Sequence, residues 1–309
     1  MPKKNLSGTG LLYCAAFGAA SFFTPGAQAQ QVGWWRPGVD QRIALHWVLD
    51  GPLNLNDPVA MGLRDFNGNV LPEPDVYDID GEANSAETVS YLHSREKKVI
   101  CYFDAGVYEI YRQDAYKFQA LSPQIWGNPV EGWADSYWLD IRRLDELEPI
   151  MKARMQMCKD KGFDAVEPDD IDGKYNPTGF DITYGDQLKY NEALARWAHE
   201  LTLSIGQKGD IIQTRDLVDD FDWTLNEECF RYDECTNPYD PDLDRPVPGL
   251  QLYSQQNKAV FIAEYKAYLP AKWTNICNES TANRFNTTRF KLSLQNSDGR
   301  MPCSTSSEW

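Results

Sequence analysis

Eight short apolar runs recur along the chain, and stretches with apolar residues at helical spacing lie between several of them. The strand-like runs are Ile43 to Leu49, Asp75 to Asp80, Lys98 to Phe103, Phe163 to Glu167, Leu203 to Gln207, Asp222 to Asn226, Ala259 to Tyr265 and Phe290 to Gln295. In Leu144 to Lys159 the helical stripe is Leu144, Leu147, Met151, Met155 and Cys158; in Asp186 to Leu201 it is Leu188, Leu194, Trp197 and Leu201. Eight strands with helices between them in about 250 residues predict an α/β chain folded as a single (β/α)8 TIM barrel. A doubly wound sheet binding a dinucleotide would need a Gly-rich phosphate turn after the first strand, and none is present. Two segments break the rhythm. Asp50 to Pro74 is rich in Asn, Gly and Pro, and Arg231 to Gly249 is crowded with Asp, Pro and Tyr. Both follow strands, so both are expected as elaborated loops on the C-terminal face, the rim that carries barrel chemistry.

Two strands run out into acids. Phe163-Asp164-Ala165-Val166-Glu167 continues into Pro168-Asp169-Asp170-Ile171-Asp172-Gly173, and Asp222-Trp223-Thr224-Leu225-Asn226 continues into Glu227-Glu228. Strand alternation puts Ala165, Glu167 and Asp169 on one face, and Trp223, Leu225 and Glu227 on one face of the other strand. Two carboxylates facing one cleft are the minimum equipment of a glycosidase, and Asp169 and Glu227 are the candidate pair, with Glu227 favoured as the acid. Asp78, Asp80, Tyr102, Asp104, Glu167, Asp172, Lys208, Asn226 and Tyr265 are expected to bind substrate around them. Abundant aromatic residues, Trp47 and Trp133 among them, suit stacking on sugar C–H faces. His46, His93 and His199 have no Ser or Cys motif beside them, which argues against a hydrolase triad. No metal or other cofactor is expected. An EF-hand register on Gly173 would put Pro168 and Gly179 at ligand positions, and Arg245 stands where the Asp240, Asp242, Asp244 series would need glycine.

The first 29 residues read as a secretory signal, with Lys3 and Lys4, an apolar run from Leu11 to Phe23 and Ala27-Gln28-Ala29 as a cleavage site. Residues 30–309 then form the mature domain, expected to be secreted as a monomer, extracellular or associated with the cell wall. The whole chain carries a net charge of -16. Such a field repels nucleic acid and anionic membranes and favours cationic ligands. Of seven cysteines, Cys14 lies in the signal. The remaining six are expected as Cys229–Cys235, Cys277–Cys303 and Cys101–Cys158, the last tying a strand to a helix. Their spacing does not fit zinc. Asn278 and Asn286 open two sequons and are expected in a glycosylated loop.

Several segments together resemble glycoside hydrolase family 114: Trp34-Trp35-Arg36-Pro37-Gly38, Asp75-Val76-Tyr77-Asp78-Ile79-Asp80, Val99-Ile100-Cys101-Tyr102-Phe103, Trp138-Leu139-Asp140-Ile141-Arg142, Glu167-Pro168-Asp169 and Asn226-Glu227-Glu228-Cys229-Phe230. The resemblance implies a secreted barrel acting as an endo-α-1,4-polygalactosaminidase on galactosamine-containing polysaccharide, cationic or partly acetylated. It lands the family's proposed catalytic pair on Asp169 and Glu227. The chain departs from the family pattern on the rim. Asp170 replaces the Asn that commonly follows the Asp of Glu-Pro-Asp, and Asp104-Ala105-Gly106-Val107 stands in place of Ser-Ala-Gly-Ser. Lys208-Gly209-Asp210 and Gln295-Asn296-Ser297-Asp298 also differ. The added charge at Asp104 and Asp170 suits a more deacetylated polymer. A non-catalytic barrel that holds polysaccharide at the cell surface is the rival reading.

Overall fold

The computed structural model describes residues 33–39 and 42–303, so the expected signal segment lies outside the described residues. Eight parallel strands form one curled sheet in sequence order: β1 (Leu45–Val48), β2 (Val76–Asp80), β3 (Lys98–Asp104), β4 (Ala165–Asp169), β5 (Ser204–Lys208), β6 (Trp223–Glu227), β7 (Val260–Glu264) and β8 (Asn286–Arg289). Met301–Pro302 adds a short antiparallel strand beside β8. The first and eighth strands approach one another through side-chain and loop contacts. The Ile43 N–H donates to Asn286 Oδ1, the Leu49 N–H donates to the Leu294 carbonyl, and Asp50 and Gln295 form a single parallel bridge.

Alternation along the strands sorts the core into two layers. Leu45, Trp47, Val76, Ile100, Ala165, Trp223, Leu225, Phe261 and Ala263 pack together on the inner face of the sheet. The intervening residues, such as Cys101, Phe103, Val166 and Ile205, pack outward against helices. Gly206 is required by this inner packing: a Cβ there would lie 2.3 Å from the Trp223 ring. The long helices are α1 (Ala86–Ser94), α2 (Leu144–Lys161), α3 (Tyr184–Glu200) and α4 (Pro270–Ala282). Thr183 and Asp186 form a capping box at the start of α3. Gly162 ends α2 in the left-handed conformation that spares glycine a Cβ clash.

The structure departs from a regular strand–helix alternation. No helix follows β1 before β2, and the segments after β5 and β6 carry only short helices, Thr214–Leu217, Cys229–Tyr232 and Gln251–Gln255. Between β3 and α2 the chain inserts a three-stranded antiparallel sheet built from Val107–Glu109, Trp126–Pro129 and Ser136–Leu139. The eighth strand is also shifted from Phe290 to Gln295 back to Asn286–Arg289. The β-branched pair Thr287 and Thr288 suits the ladder with β7, whereas Leu294 adopts φ +43° and turns the chain.

All three disulfides pair as expected: Cys101 of β3 to Cys158 of α2, Cys229 to Cys235, and Cys277 of α4 to Cys303. The sequons do not lie in a loop. Asn278 is exposed on α4, and Asn286 is in β8 with its amide bonded to the Ile43 N–H and the Val260 carbonyl. A glycan on Asn286 would attach at Nδ2, the nitrogen that donates to the Val260 carbonyl. Among the described residues no helix is long and apolar enough to cross a membrane.

Candidate active site

The inward residues change character toward the C-terminal ends of the strands. Ala165 and Leu225 are apolar, but the next inward positions are Glu167 and Glu227, and Asp169 follows on β4. Parallel register sets Asp104 of β3 directly across from Asp169, and Tyr102 across from Glu167. Asp80 on β2 lies across from Tyr102. The neighbouring β5 contributes Ser204, Gly206 and Lys208 at the same phase. The sequence pattern therefore aims one ammonium into a wall of carboxyls.

That ammonium organises the centre. Lys208 Nζ lies 2.7 Å from Asp169 Oδ1 and 2.7 Å from Glu227 Oε2, with Glu167 Oε1 at 4.0 Å and the Trp47 ring centroid at 5.2 Å. The Lys208 side chain is 4% exposed, against 19% for Asp169 and 36% for Glu227. Burial alone would lower the lysine pKa. The charges of Asp169, Glu227 and Glu167 overcome it and hold the group well above its ordinary value. Burial likewise works upward on Asp169, but the Lys208 charge and hydrogen bonds from Lys208, the Asp170 N–H and Tyr102 outweigh it and keep Asp169 below the usual carboxylate range. Tyr265 donates its hydroxyl to Glu227 Oε1. Both oxygens held by Lys208 lie within twice its 2.7 Å reach, so they are at most about 5.4 Å apart.

Beneath this centre sits a second carboxyl pair. Glu167 Oε2 accepts the Trp47 Nε1–H at 3.1 Å, while Asp78 Oδ1 and Oδ2 and Glu167 Oε1 meet no N–H or O–H donor among the described residues. Asp78 and Glu167 instead contact each other, an arrangement that becomes a hydrogen bond only when one of them carries a proton. Burial, outweighing the bond to Glu167 and the Lys208 charge, pushes Asp78 up to about 7; burial and the Asp78 charge raise Glu167 well above its ordinary value. Asp172 is pushed up to about 6 by burial, with Lys208 opposing and Asp169 and Glu227 reinforcing the rise.

The centre opens into a cleft of about 920 Å³ whose wall includes Trp47, Asp80, Tyr102, Asp104, Asp169, Asp170, Glu227 and Tyr265. Asp78, Glu167, Lys208 and Asp172 stand behind that wall. Asn226 does not share the face of Glu227: it is one residue out of phase, buried on the side of Thr224. The cleft also takes residues that sequence reading did not assign to the site. Arg112 binds Asp80 through Nη1 at 2.5 Å and Glu109 through Nε at 2.6 Å, and Tyr111 bonds Glu109. Glu109 belongs to the inserted antiparallel sheet and the other two follow it directly. No local pattern singles them out, since the strand Val107–Glu109 has only three residues, all buried. Tyr111, Trp133 and Tyr232, each at least 60% exposed, line the outer cleft as aromatic faces.

An α/β fold with a curled parallel sheet and a carboxyl-rich, aromatic-edged cleft at the strand ends defines a carbohydrate-cleaving enzyme class, and comparison with known proteins places the chain within it. The sequence model of glycoside-hydrolase family GH114 matches residues 25–307, and the chain belongs to that family as a glycoside hydrolase. Its structure is similar to the crystal structure of Aspergillus fumigatus Ega3 complexed with galactosamine. The two share 28% identity with a TM-score of 0.71, covering 86% of this chain and 97% of that one. The fold also resembles the glycoside hydrolase domain of PelA from Pseudomonas aeruginosa, at 11% identity and TM-score 0.54 over 81% of this chain and 95% of that one. No curated protein matches the sequence.

Proposed function

We propose that the protein is a secreted endo-acting glycosidase that cleaves internal α-1,4 linkages of galactosamine-containing polysaccharide, with Asp169 and Glu227 as its carboxyl pair. The observation that carries this reading is Lys208, which draws both carboxyls to one point at the head of an aromatic-edged cleft. Asp169, kept ionised by the ammonium, is suited to attack the anomeric carbon while Glu227, in its protonated form, gives its proton to the departing glycosidic oxygen; the resulting Glu227 carboxylate then takes a proton from the water that frees the sugar from Asp169. The two oxygens held by Lys208 are at most about 5.4 Å apart, a close approach that favours a retaining reaction, in which the first-formed product keeps the α configuration. The structure of the similar Ega3 with galactosamine supports an amino-sugar substrate, and the acidic cleft suits a cationic polymer. In this reading residues 1–29 are the removed signal, residues 30–309 are the catalytic domain, and the curled sheet closes as a (β/α)8 barrel. Three disulfides fit an oxidising, extracellular setting.

The test is to incubate the purified protein with deacetylated and N-acetylated α-1,4-galactosamine polymer and size the products. Shortened chains are expected from the wild type and none from Asp169→Asn or Glu227→Gln. Full activity in either variant would remove that residue from the pair, and binding without shortening by the wild type would overturn the reading.

A further inference from the structure

Two carboxyls of the inner face take no part in the proposed reaction. Asp78 and Glu167 are both 0% exposed, and neither lines the cleft, so a bound polymer does not touch them. Burying a carboxyl whose oxygens meet no donor is costly, and Asp78 Oδ1, Asp78 Oδ2 and Glu167 Oε1 are all in that condition among the described residues. The same layer accepts an aliphatic side chain without difficulty: Ile100 stands between Asp78 and Ala165 in the strand register and belongs to the inner core. Packing alone therefore does not account for two acids here.

The contacts of Glu167 supply an account. It belongs to β4, yet its side chain links strands across the inside of the curled sheet. Oε2 accepts the Trp47 Nε1–H from β1 at 3.1 Å, the carboxyl contacts Asp78 of β2, and Oε1 lies 4.0 Å from Lys208 Nζ on β5. An ammonium has three N–H donors. Lys208 gives one to Asp169 and one to Glu227 at 2.7 Å each. Its remaining N–H meets no acceptor within hydrogen-bond distance among the described residues. The next carboxyl oxygen is Glu167 Oε1, and the Trp47 ring centroid lies 5.2 Å from Nζ. Trp47 itself forms part of the cleft wall. One sealed carboxyl thus bears on the ammonium that unites Asp169 and Glu227 and on the indole beside them. At 4.0 Å its pull on Lys208 acts through space and leaves both hydrogen bonds of the ammonium intact. A proton shared with Asp78 keeps the pair at a single negative charge, so the pull does not double.

We propose that Glu167, steadied by Asp78, is a positioning residue that sets the Lys208 ammonium between Asp169 and Glu227 and fixes the Trp47 ring at the cleft wall. It touches neither substrate nor reacting atoms. Its consequence for catalysis rests on the glycosidase reading; its hold on Lys208 and Trp47 does not.

The experiment compares wild type with Glu167→Gln and Asp78→Asn. The amide in Glu167→Gln has the shape to accept the Trp47 N–H and to donate to Asp78, but it carries no charge beside Lys208. On α-1,4-galactosamine oligomers kcat is expected to fall by on the order of 10–10²-fold, the range that goes with a small misplacement of a catalytic group, with KM unchanged. Asp78→Asn leaves Glu167 charged, because the new amide donates where the shared proton did, so its loss in kcat should be smaller. Wild-type kcat in Glu167→Gln, a change confined to KM, or an equal loss in both variants would overturn the inference and leave the glycosidase reading standing. Nuclear magnetic resonance of protein carrying isotope-labelled lysine and tryptophan gives a readout that needs no substrate. The Lys208 Nζ and Trp47 Nε1 signals, identified by their loss in Lys208→Met and Trp47→Phe, should both move in Glu167→Gln while the remaining lysine signals stay in place. An unmoved Lys208 signal would overturn the inference. If wild type shortens no polymer, the glycosidase reading fails and these spectra still decide the positioning role. If Glu167→Gln does not fold, Asp78→Asn decides it: the Lys208 signal should persist near its wild-type position, and its disappearance would count against the proposal.

Discussion

Replacing Lys208 with methionine keeps most of the side-chain volume and deletes the one charge that holds the centre together. The ammonium is 4% exposed, and it touches Asp169 and Glu227 at 2.7 Å with Glu167 at 4.0 Å. Breaking a buried ion pair by removing one partner costs about 3–5 kcal/mol, because the charge left behind is uncompensated. Glu227, at 36% exposed, is partly screened by water and adds little to that figure, so Asp169 carries most of it. For a domain of this size the cost corresponds to a fall in Tm of roughly 10 °C near neutral pH. The pH dependence gives the sharper test. Asp169 sits below its ordinary value of 3.8 in the folded wild type, so its stabilising contribution is present above that value and lost as pH falls through the lowered one. In Lys208→Met the same carboxyl suffers burial without relief until it is protonated. The difference in Tm between the two proteins should therefore be widest near pH 7 and close as pH falls below about 4, as thermal melts followed by circular dichroism would read. Activity on galactosamine polymer should drop by on the order of 10²–10⁴-fold, chiefly in kcat, the range associated with losing a correctly ionised catalytic group. Wild-type stability at pH 7 in Lys208→Met, or a deficit that does not shrink in acid, would refute the reasoning.

Asp78→Asn should flatten the pH response in a different window: Asp78 is raised from 3.8 to about 7, so wild-type stability is fully present below about 4 and declines as pH rises through about 7, and melts across that window should show less decline in the variant. Gly206→Ala should lower stability by about 1–3 kcal/mol, since its Cβ would enter the fully buried Trp223 ring, and denaturant titration reads the loss directly. Cleavage of a deacetylated polymer should weaken steeply as salt is raised from about 0.1 to 1 M, because the screening length shrinks from about 10 to 3 Å and the acidic cleft loses its reach; salt-independent kcat/KM would dismiss electrostatic steering.

What was legible in the sequence was what strand alternation and strand ends control. Ala165, Glu167 and Asp169 share an inward phase because the side-chain period of a strand is two, and so do Trp223, Leu225 and Glu227. The same rule removes Asn226 from the cleft. Phe290 and Leu294 are apolar enough to imitate a last strand, while a left-handed conformation at Leu294 turns the chain. Arg112 and Glu109 escaped because they sit in or beside an insertion whose strands are only three or four residues long, too short to show a period. Lys208 stands at a rim position in the sequence, but its two hydrogen bonds, one to Asp169 and one to Glu227, depend on the curvature of the sheet, which no local pattern encodes.

The inner face shows how one fold can bury so many acids. At the floor, Ala165, Trp223 and Leu225 exclude charge altogether. One step up, Asp78 and Glu167 are neutral enough to persist only because burial favours a proton between them. Above them, Lys208 supplies a fixed positive charge, which keeps Asp169 ionised where an anionic nucleophile is useful. Each layer therefore settles its charge by a different means, and the means dictates the chemistry: a shared proton gives a silent support, and a fixed ammonium gives a reactive carboxylate.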